Sequence, residues 1–73
     1  MTKHMKAIEL RGETGDIQPE YRNRVYGTHG KVASILLKEL HNDLYATICY
    51  EDGSYSPAQS PDLLLEVRED DRP

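Results

Sequence analysis

Few side chains in this sequence have the type and spacing that catalysis or metal binding requires. The three histidines, His4, His29 and His41, lie far apart and form neither an H-x₃-H nor an H-E-x-x-H pattern. Cys49 is the single cysteine, which excludes an intramolecular disulfide and any zinc site that needs two thiolates. No nucleophile motif surrounds it. We therefore expect neither an enzyme nor a bound cofactor or metal ion.

Tyrosines are the only aromatic residues, and converging tyrosine rings can cage a methylated ammonium group by cation–π attraction. A structural role competes with this one, because amphipathic rings also line a small core while their hydroxyls stay in water. The structural role is the favoured interpretation. The five residues are Tyr21, Tyr26, Tyr45, Tyr50 and Tyr55.

Residues 22–38 contain four basic side chains and no acidic one. The stretch includes the loop Gly27-Thr28-His29-Gly30, and Gly-x-x-Gly loops allow backbone amides to approach phosphate closely. Most such loops are simply turns, and the stretch is equally compatible with ordinary solvated charge. The candidate binding surface drawn from these features comprises Arg22, Arg24, Tyr26, His29, Lys31, Tyr50 and Tyr55.

Length and composition limit the size of the core. The chain has 73 residues, of which 37% are apolar, with no Trp and no Phe. This predicts one small domain without a deep pocket. No apolar run approaches the length of a membrane span, and the first ten residues do not resemble a secretory signal, so a soluble cytoplasmic protein is expected.

Periodicity in the first half predicts short strands joined by loops. Residues 6–11 alternate as a strand, and a loop follows through residue 19. Residues 21–26 predict a weak edge strand that a partner strand could extend. Residues 31–40 fit a buried strand, which we favour because no good N-cap residue precedes them. A helix over residues 31–41 is the alternative.

The second half carries the clearest β signal. Residues 44–50 are β-branched and aromatic, and Asp52-Gly53 follows them, which is typical of a type I′ hairpin turn. Ser60-Pro61 predicts a single helical or 3₁₀ turn near residues 60–64, before a last strand at 63–67. Residues 68–73 hold no apolar side chain and predict a disordered acidic tail.

These elements predict a mainly β domain over residues 1–67, a small barrel of five or six short strands. The helical alternative at 31–41 would make the fold α+β. From about residue 24 to residue 67 the chain resembles the small SH3-like barrels of the Tudor and KOW type. The resemblance rests on Gly30-Lys31-Val32, Tyr45-Ala46-Thr47-Ile48, Asp52-Gly53-Ser54 and the closing segment 62–67. It implies binding of methylated lysine or arginine, as in Tudor domains, or of RNA or the transcription and translation machinery, as in KOW barrels.

The function expected from these features is a non-catalytic interaction module that binds a partner protein through a barrel face and loops. A net charge of −4 favours a protein over nucleic acid as the partner. Two alternatives stay open. One is a KOW-like nucleic-acid module using the basic residues 22–38, and the other is a homo-oligomeric barrel whose interface creates a site. The expected state is a monomer or a small homo-oligomer.

Overall fold

The computed structural model describes residues 2–69, and these residues are mainly β. One four-residue α-helix and one 3₁₀ turn interrupt the strands. In chain order the elements are β1 (Thr2–Lys6), α1 (Ala7–Leu10), the 3₁₀ turn (Pro19–Tyr21), β2 (Val25–Gly27), β3 (Gly30–Leu40), β4 (Asp43–Tyr50) and β5 (Leu64–Arg68). The mainly β prediction is therefore confirmed.

The five strands form one antiparallel sheet in the order β1-β5-β2-β3-β4. The N-terminal strand β1 pairs with the C-terminal strand β5 over five residues, so the two ends of the described chain meet in the sheet. Among residues 2–69 no pairing joins the end strands β1 and β4. The sheet is thus open, and its closure into a barrel stays a prediction.

Residues 31–40 lie in β3, as the favoured interpretation expected, and the helix at 31–41 is not formed. The loop between β3 and β4 consists of His41 and Asn42, whose φ angles are 51° and 68°. Two positive φ angles between paired strands define a type I′ turn, whose twist matches that of the hairpin. A β-bulge interrupts the register between Val32 and Ser34.

The reversal predicted at Asp52-Gly53 is present, but its turn type differs from the expected one. Only Gly53 has a positive φ, of 93°, whereas a type I′ turn would require one at Asp52 as well. The Gly53 N–H donates to the Tyr50 carbonyl at 3.1 Å, and the Tyr50 N–H donates to the Ser54 carbonyl at 2.9 Å. The loop is therefore three residues long, with glycine at its left-handed position.

The predicted first strand at 6–11 is wrong beyond Lys6, where the chain turns into α1. Ala7 and Leu10 are both fully buried, and their separation by three residues suits one helical face. The N–H groups of Ala7 and Ile8 donate to the carbonyls of Leu63 and Pro61. Over four residues, the apolar spacing of a strand cannot be told from that of a helix. The long-range bonds to Leu63 and Pro61 favour the helix.

The single turn predicted near residues 60–64 is present. The Leu63 N–H donates to the Ser60 carbonyl at 3.0 Å, the bond of a 3₁₀-type turn, and the Asp62 N–H donates to the Ser60 hydroxyl at 3.2 Å. One prediction near the C-terminus needs correction. Arg68, assigned from the sequence to the tail, ends β5 and pairs with Thr2. Of the rest of the predicted tail, Glu69 is exposed and lies outside the strands, and residues 70–73 lie outside the described residues.

The prediction of a weak edge strand at 21–26 is also wrong, both in its bounds and in its place in the sheet. The strand formed there, β2, is three residues long and lies between β5 and β3. Because β2 is paired on both sides, it offers no free edge for strand addition. The 3₁₀ turn occupies the preceding segment, which begins with Pro19.

Tyr50 completes the core beneath Gly27. A Cβ atom at Gly27 would lie 2.5 Å from the Tyr50 hydroxyl oxygen and 3.1 Å from ring atom Cε1. The absence of a side chain at residue 27 therefore makes room for the ring. The buried apolar residues are Ala7, Leu10, Ile17, Val25, Val32, Ile35, Ala46, Ile48, Tyr50, Leu65 and Val67.

Gly27→Ala is expected to lower the free energy of unfolding by about 1–3 kcal/mol, because the new methyl group overlaps the Tyr50 ring. Urea denaturation measures the change. In a Tyr50→Phe background, which lacks the nearest atom, the loss should be smaller. An equal loss in both backgrounds would show that the overlap with the hydroxyl is not its cause.

Candidate interaction surfaces

Tyr26 lies on the outer face of the sheet, paired with Lys31 of β3 on one side and Glu66 of β5 on the other. The Arg68 guanidinium lies 3.8 Å from the centre of the Tyr26 ring, and its Nε donates to the Glu66 carboxylate at 2.9 Å. The ring face is thus covered by a cation from the same chain. Tyr26 is therefore not a free platform for a base or a methylated ammonium group.

Arg24 connects parts of the backbone. Its guanidinium donates to the carbonyls of Arg68 and Glu20 at 2.8 and 2.9 Å, and its own carbonyl accepts from the Arg68 N–H at 2.8 Å. These bonds join the segment before β2 to the end of β5. The side chain is consequently engaged in hydrogen bonds with the chain's own backbone at the surface.

His29 and Tyr50 meet at one end of the sheet. Their ring centres are 5.2 Å apart and their planes are inclined by 58°. Tyr50 is 5% exposed, whereas His29 is exposed in the two-residue turn between β2 and β3. The Gly27–Gly30 loop is thus a hairpin turn whose histidine covers a core tyrosine.

The remaining tyrosines do not complete a cage. Tyr55 is 72% exposed and lies beyond β4, opposite Cys49. Tyr50 points into the core, whereas Tyr26 lies on the opposite face. Tyr21 lies near Lys3 and Arg24, at 5.6 and 6.0 Å from its ring centre. The structure therefore separates the tyrosines and supports the structural interpretation for Tyr50 in particular.

Arg22 borders a surface cleft of about 390 Å³ that the sequence does not predict. Its apolar lining comes from Ile17, Val32 and Ala33, and its polar lining also includes Asp16, Asn23 and Glu51. The loop before β2 reaches this place because the Ile35 N–H donates to the Gly15 carbonyl at 2.8 Å. Gly15 has a φ of 95°, which explains the glycine at that position.

A second surface missed by the binding-site prediction is the distal part of the β3–β4 hairpin, residues 36–45, here called the hairpin arm. Its exposed leucines are Leu36, Leu40 and Leu44, at 50%, 40% and 42%. The sequence does contain a signal for it. Consecutive apolar residues Ile35, Leu36 and Leu37 are typical of a strand covered on both faces, and no layer covers the outer one here.

Asp52 interacts with its own turn. The Ser54 hydroxyl and N–H donate to its carboxylate at 2.6 and 2.8 Å, and these bonds lower the pKa of Asp52 below its ordinary value. The nearby His29 lowers this pKa further. These groups stabilise a loop that is exposed to solvent.

Residues 2–69 contain no group of three or more His, Cys, Asp or Glu side chains placed to hold a metal ion. None of the helices in this part of the chain has the length and apolar character that crossing a membrane requires. Comparison with protein-family models, curated proteins and solved structures finds no match to the chain. Function must therefore be inferred from the surfaces themselves.

Ser54→Ala is expected to raise the pKa of Asp52 toward its ordinary value. Since the folded state lowers this pKa, the carboxylate stabilises the turn at neutral pH, and that contribution disappears as the pH falls through the folded pKa. Carbon NMR of the Asp52 carboxyl across the acid range measures the shift. Ser60→Ala, a serine variant in another turn, should leave Asp52 unchanged. Identical titration of Asp52 in the wild type and in Ser54→Ala would contradict the assignment.

Proposed function

We propose that this protein is a non-catalytic interaction module whose hairpin arm binds an extended segment of a partner protein. The observation that carries the proposal is the combination of exposed leucines and unpaired strand edges in residues 36–45. Exposed apolar side chains grouped beside a free strand edge are characteristic of peptide-binding sheet edges.

The proximal half of β3 is paired on both edges. On the edge away from β4, Gly30 and Lys31 pair with β2, Ser34 pairs with Asp16, and Ile35 donates to Gly15. Beyond Ile35 no described residue pairs with this edge. The distal part of β4 is also free on the edge away from β3. On that edge, pairing with the segment 54–59 begins only at Ala46. The arm therefore has two free edges.

The direction of the free N–H groups follows from the same bonds. The Ile35 N–H points away from β4, and alternate residues of an antiparallel strand point the same way. The N–H groups of Leu37 and Glu39 are consequently aimed at the free edge. An extended peptide pairing with β3 would accept from them, while Leu36 and Leu40, which share one face of β3, would contact its side chains. Leu44, paired with Glu39, lies on the other face of the arm. Full burial of one leucine is worth about 1.5–3 kcal/mol.

The arrangement of charge supports a protein partner over nucleic acid. The basic residues of the stretch 22–38 do not gather on one surface, because Arg22 borders the cleft and Arg24 is bonded to backbone carbonyls. Lys31 and Lys38 are separated by seven residues of strand, about 23 Å at the usual rise. Lys38 also has Glu39 beside it. A phosphate backbone would find no continuous basic track here.

An SH3-like barrel of the Tudor and KOW type is the fold that we propose for the sheet. Its support comes from the placement of the motifs: Gly30-Lys31-Val32 opens β3, Asp52-Gly53 forms a tight turn after β4, and the segment 62–67 contains most of β5. Such folds host many unrelated functions, so the binding proposal rests on the arm and not on the resemblance.

Glu39→Pro tests the proposal most specifically. Proline removes an N–H that points to the free edge while the hydrogen bonds between β3 and β4 are kept. Decapeptides selected from a random phage library against the wild type should bind this variant at least about tenfold more weakly, as the loss of about 1.4 kcal/mol of binding free energy implies. Leu40→Lys should weaken them similarly, and isothermal titration calorimetry measures both.

The matched control is Leu64→Lys, since Leu64 is 57% exposed on β5, outside the arm. It should leave peptide affinity unchanged. Equal affinity of the selected peptides for the wild type and Glu39→Pro would contradict the proposal. So would a homodimer in light scattering that Glu39→Pro dissociates, because a second copy would then occupy the edge. Binding of RNA or DNA oligonucleotides added in place of the peptides, with affinity falling steeply as salt rises, would favour the basic residues 22–38.

A further inference from the structure

The cleft beside Arg22 carries a second inference, about a surface separate from the hairpin arm. Three charged side chains line it, the carboxylates of Asp16 and Glu51 and the guanidinium of Arg22. None of the three has an ion-pair partner within the part of the chain that the structure describes. Arg22 therefore does not neutralise the two carboxylates, and the lining keeps an excess of negative charge.

The apolar part of the lining suits an alkyl chain. Ile17 and Val32 are core residues, 4% and 2% exposed, that border the cleft, and Ala33 is exposed at the bulge of β3. A volume of about 390 Å³ lies at the lower end of the range for small-ligand sites and is sufficient for one long side chain. A ligand with methylene groups and a cationic end would match both parts of the lining.

We propose that this cleft binds an arginine side chain of a partner peptide. The guanidinium presents five N–H donors in a plane and can donate to two carboxylates at once, which a point-like ammonium does less well. Its methylene groups would lie on Ile17, Val32 and Ala33. The Asn23 amide and the Arg22 guanidinium border the cleft and supply donors for carbonyl groups of the peptide main chain.

The test uses N-acetyl-L-arginine methylamide as the probe and its uncharged isostere, the corresponding citrulline derivative, as the control ligand. In ¹⁵N–¹H NMR titrations of the full chain at low salt, the arginine probe should give saturable shift changes at residues 16–17, 22–23, 32–33 and 51. The citrulline probe should give none that saturate. High salt should weaken the response, since the cleft is open to solvent.

Asp16→Asn and Glu51→Gln should each raise the dissociation constant by about two- to five-fold, the range expected for one exposed ion pair. Glu13→Gln is the matched control, because Glu13 is an exposed carboxylate of the same loop outside the cleft lining. It should leave the constant unchanged. The amide spectrum of each variant establishes that its fold is retained, and the two cleft variants test the site independently of each other.

The inference would be overturned by the absence of saturable shifts with the arginine probe, by equal binding of citrulline, or by affinity that neither cleft variant changes. Tighter binding of the corresponding lysine probe would also contradict the preference for a guanidinium. Failure of these experiments would not affect the proposal that the hairpin arm binds a peptide. Binding at the arm is expected to depend on Glu39 and Leu40 and not on Asp16 or Glu51.

Discussion

The unequal pairing of β3 is the constraint on which the rest of the structure depends. Its proximal half has partners on both edges, from β2 and the loop at Gly15 and Asp16 on one side and from β4 on the other. Those bonds hold the residues that form the core, including Val32 and Ile35. The distal half has β4 alone. A strand of eleven residues is thereby divided into a part that builds the domain and a part that is left available for contact.

The same division explains how a chain of this size supports a free hairpin. The buried side chains concentrate where strands are paired on both edges. On the outer edge of β4, Ser56 accepts from the Ile48 N–H at 3.1 Å and donates to the Pro57 carbonyl. The core needs no contribution from the exposed leucines of the arm. The exposed leucines of the arm are the apolar contact surface on which the proposed binding of a partner depends.

The sequence predicted the parts of the fold that depend on strong local signals. Residues 31–40 and 44–50 are strands because β-branched and apolar residues recur there, and Asp52-Gly53 turns because glycine accepts positive φ. The errors fall where long-range bonds decide. Ala7–Leu10 is helical because Leu63 and Pro61 supply carbonyls from the far end of the chain, and β2 is interior because β5 returns beside it. Of the predicted binding residues, Arg24 and Tyr50 are engaged by other residues of the chain, and only the tertiary structure could show this. Arg22 does border a cleft, but the residues that complete it come from distant segments.

The free edge of the hairpin arm can be tested directly by amide hydrogen exchange at low protein concentration. The account predicts alternation along distal β3: the amides of Leu37 and Glu39 exchange rapidly, whereas those of Leu36 and Lys38, which face β4, are protected. The amide of Ile35, bonded to Gly15, should also be protected and marks where double pairing ends. Equal protection of Leu37, Glu39 and their neighbours would show that something already covers this edge, and it would contradict the proposal that the arm is open to a partner.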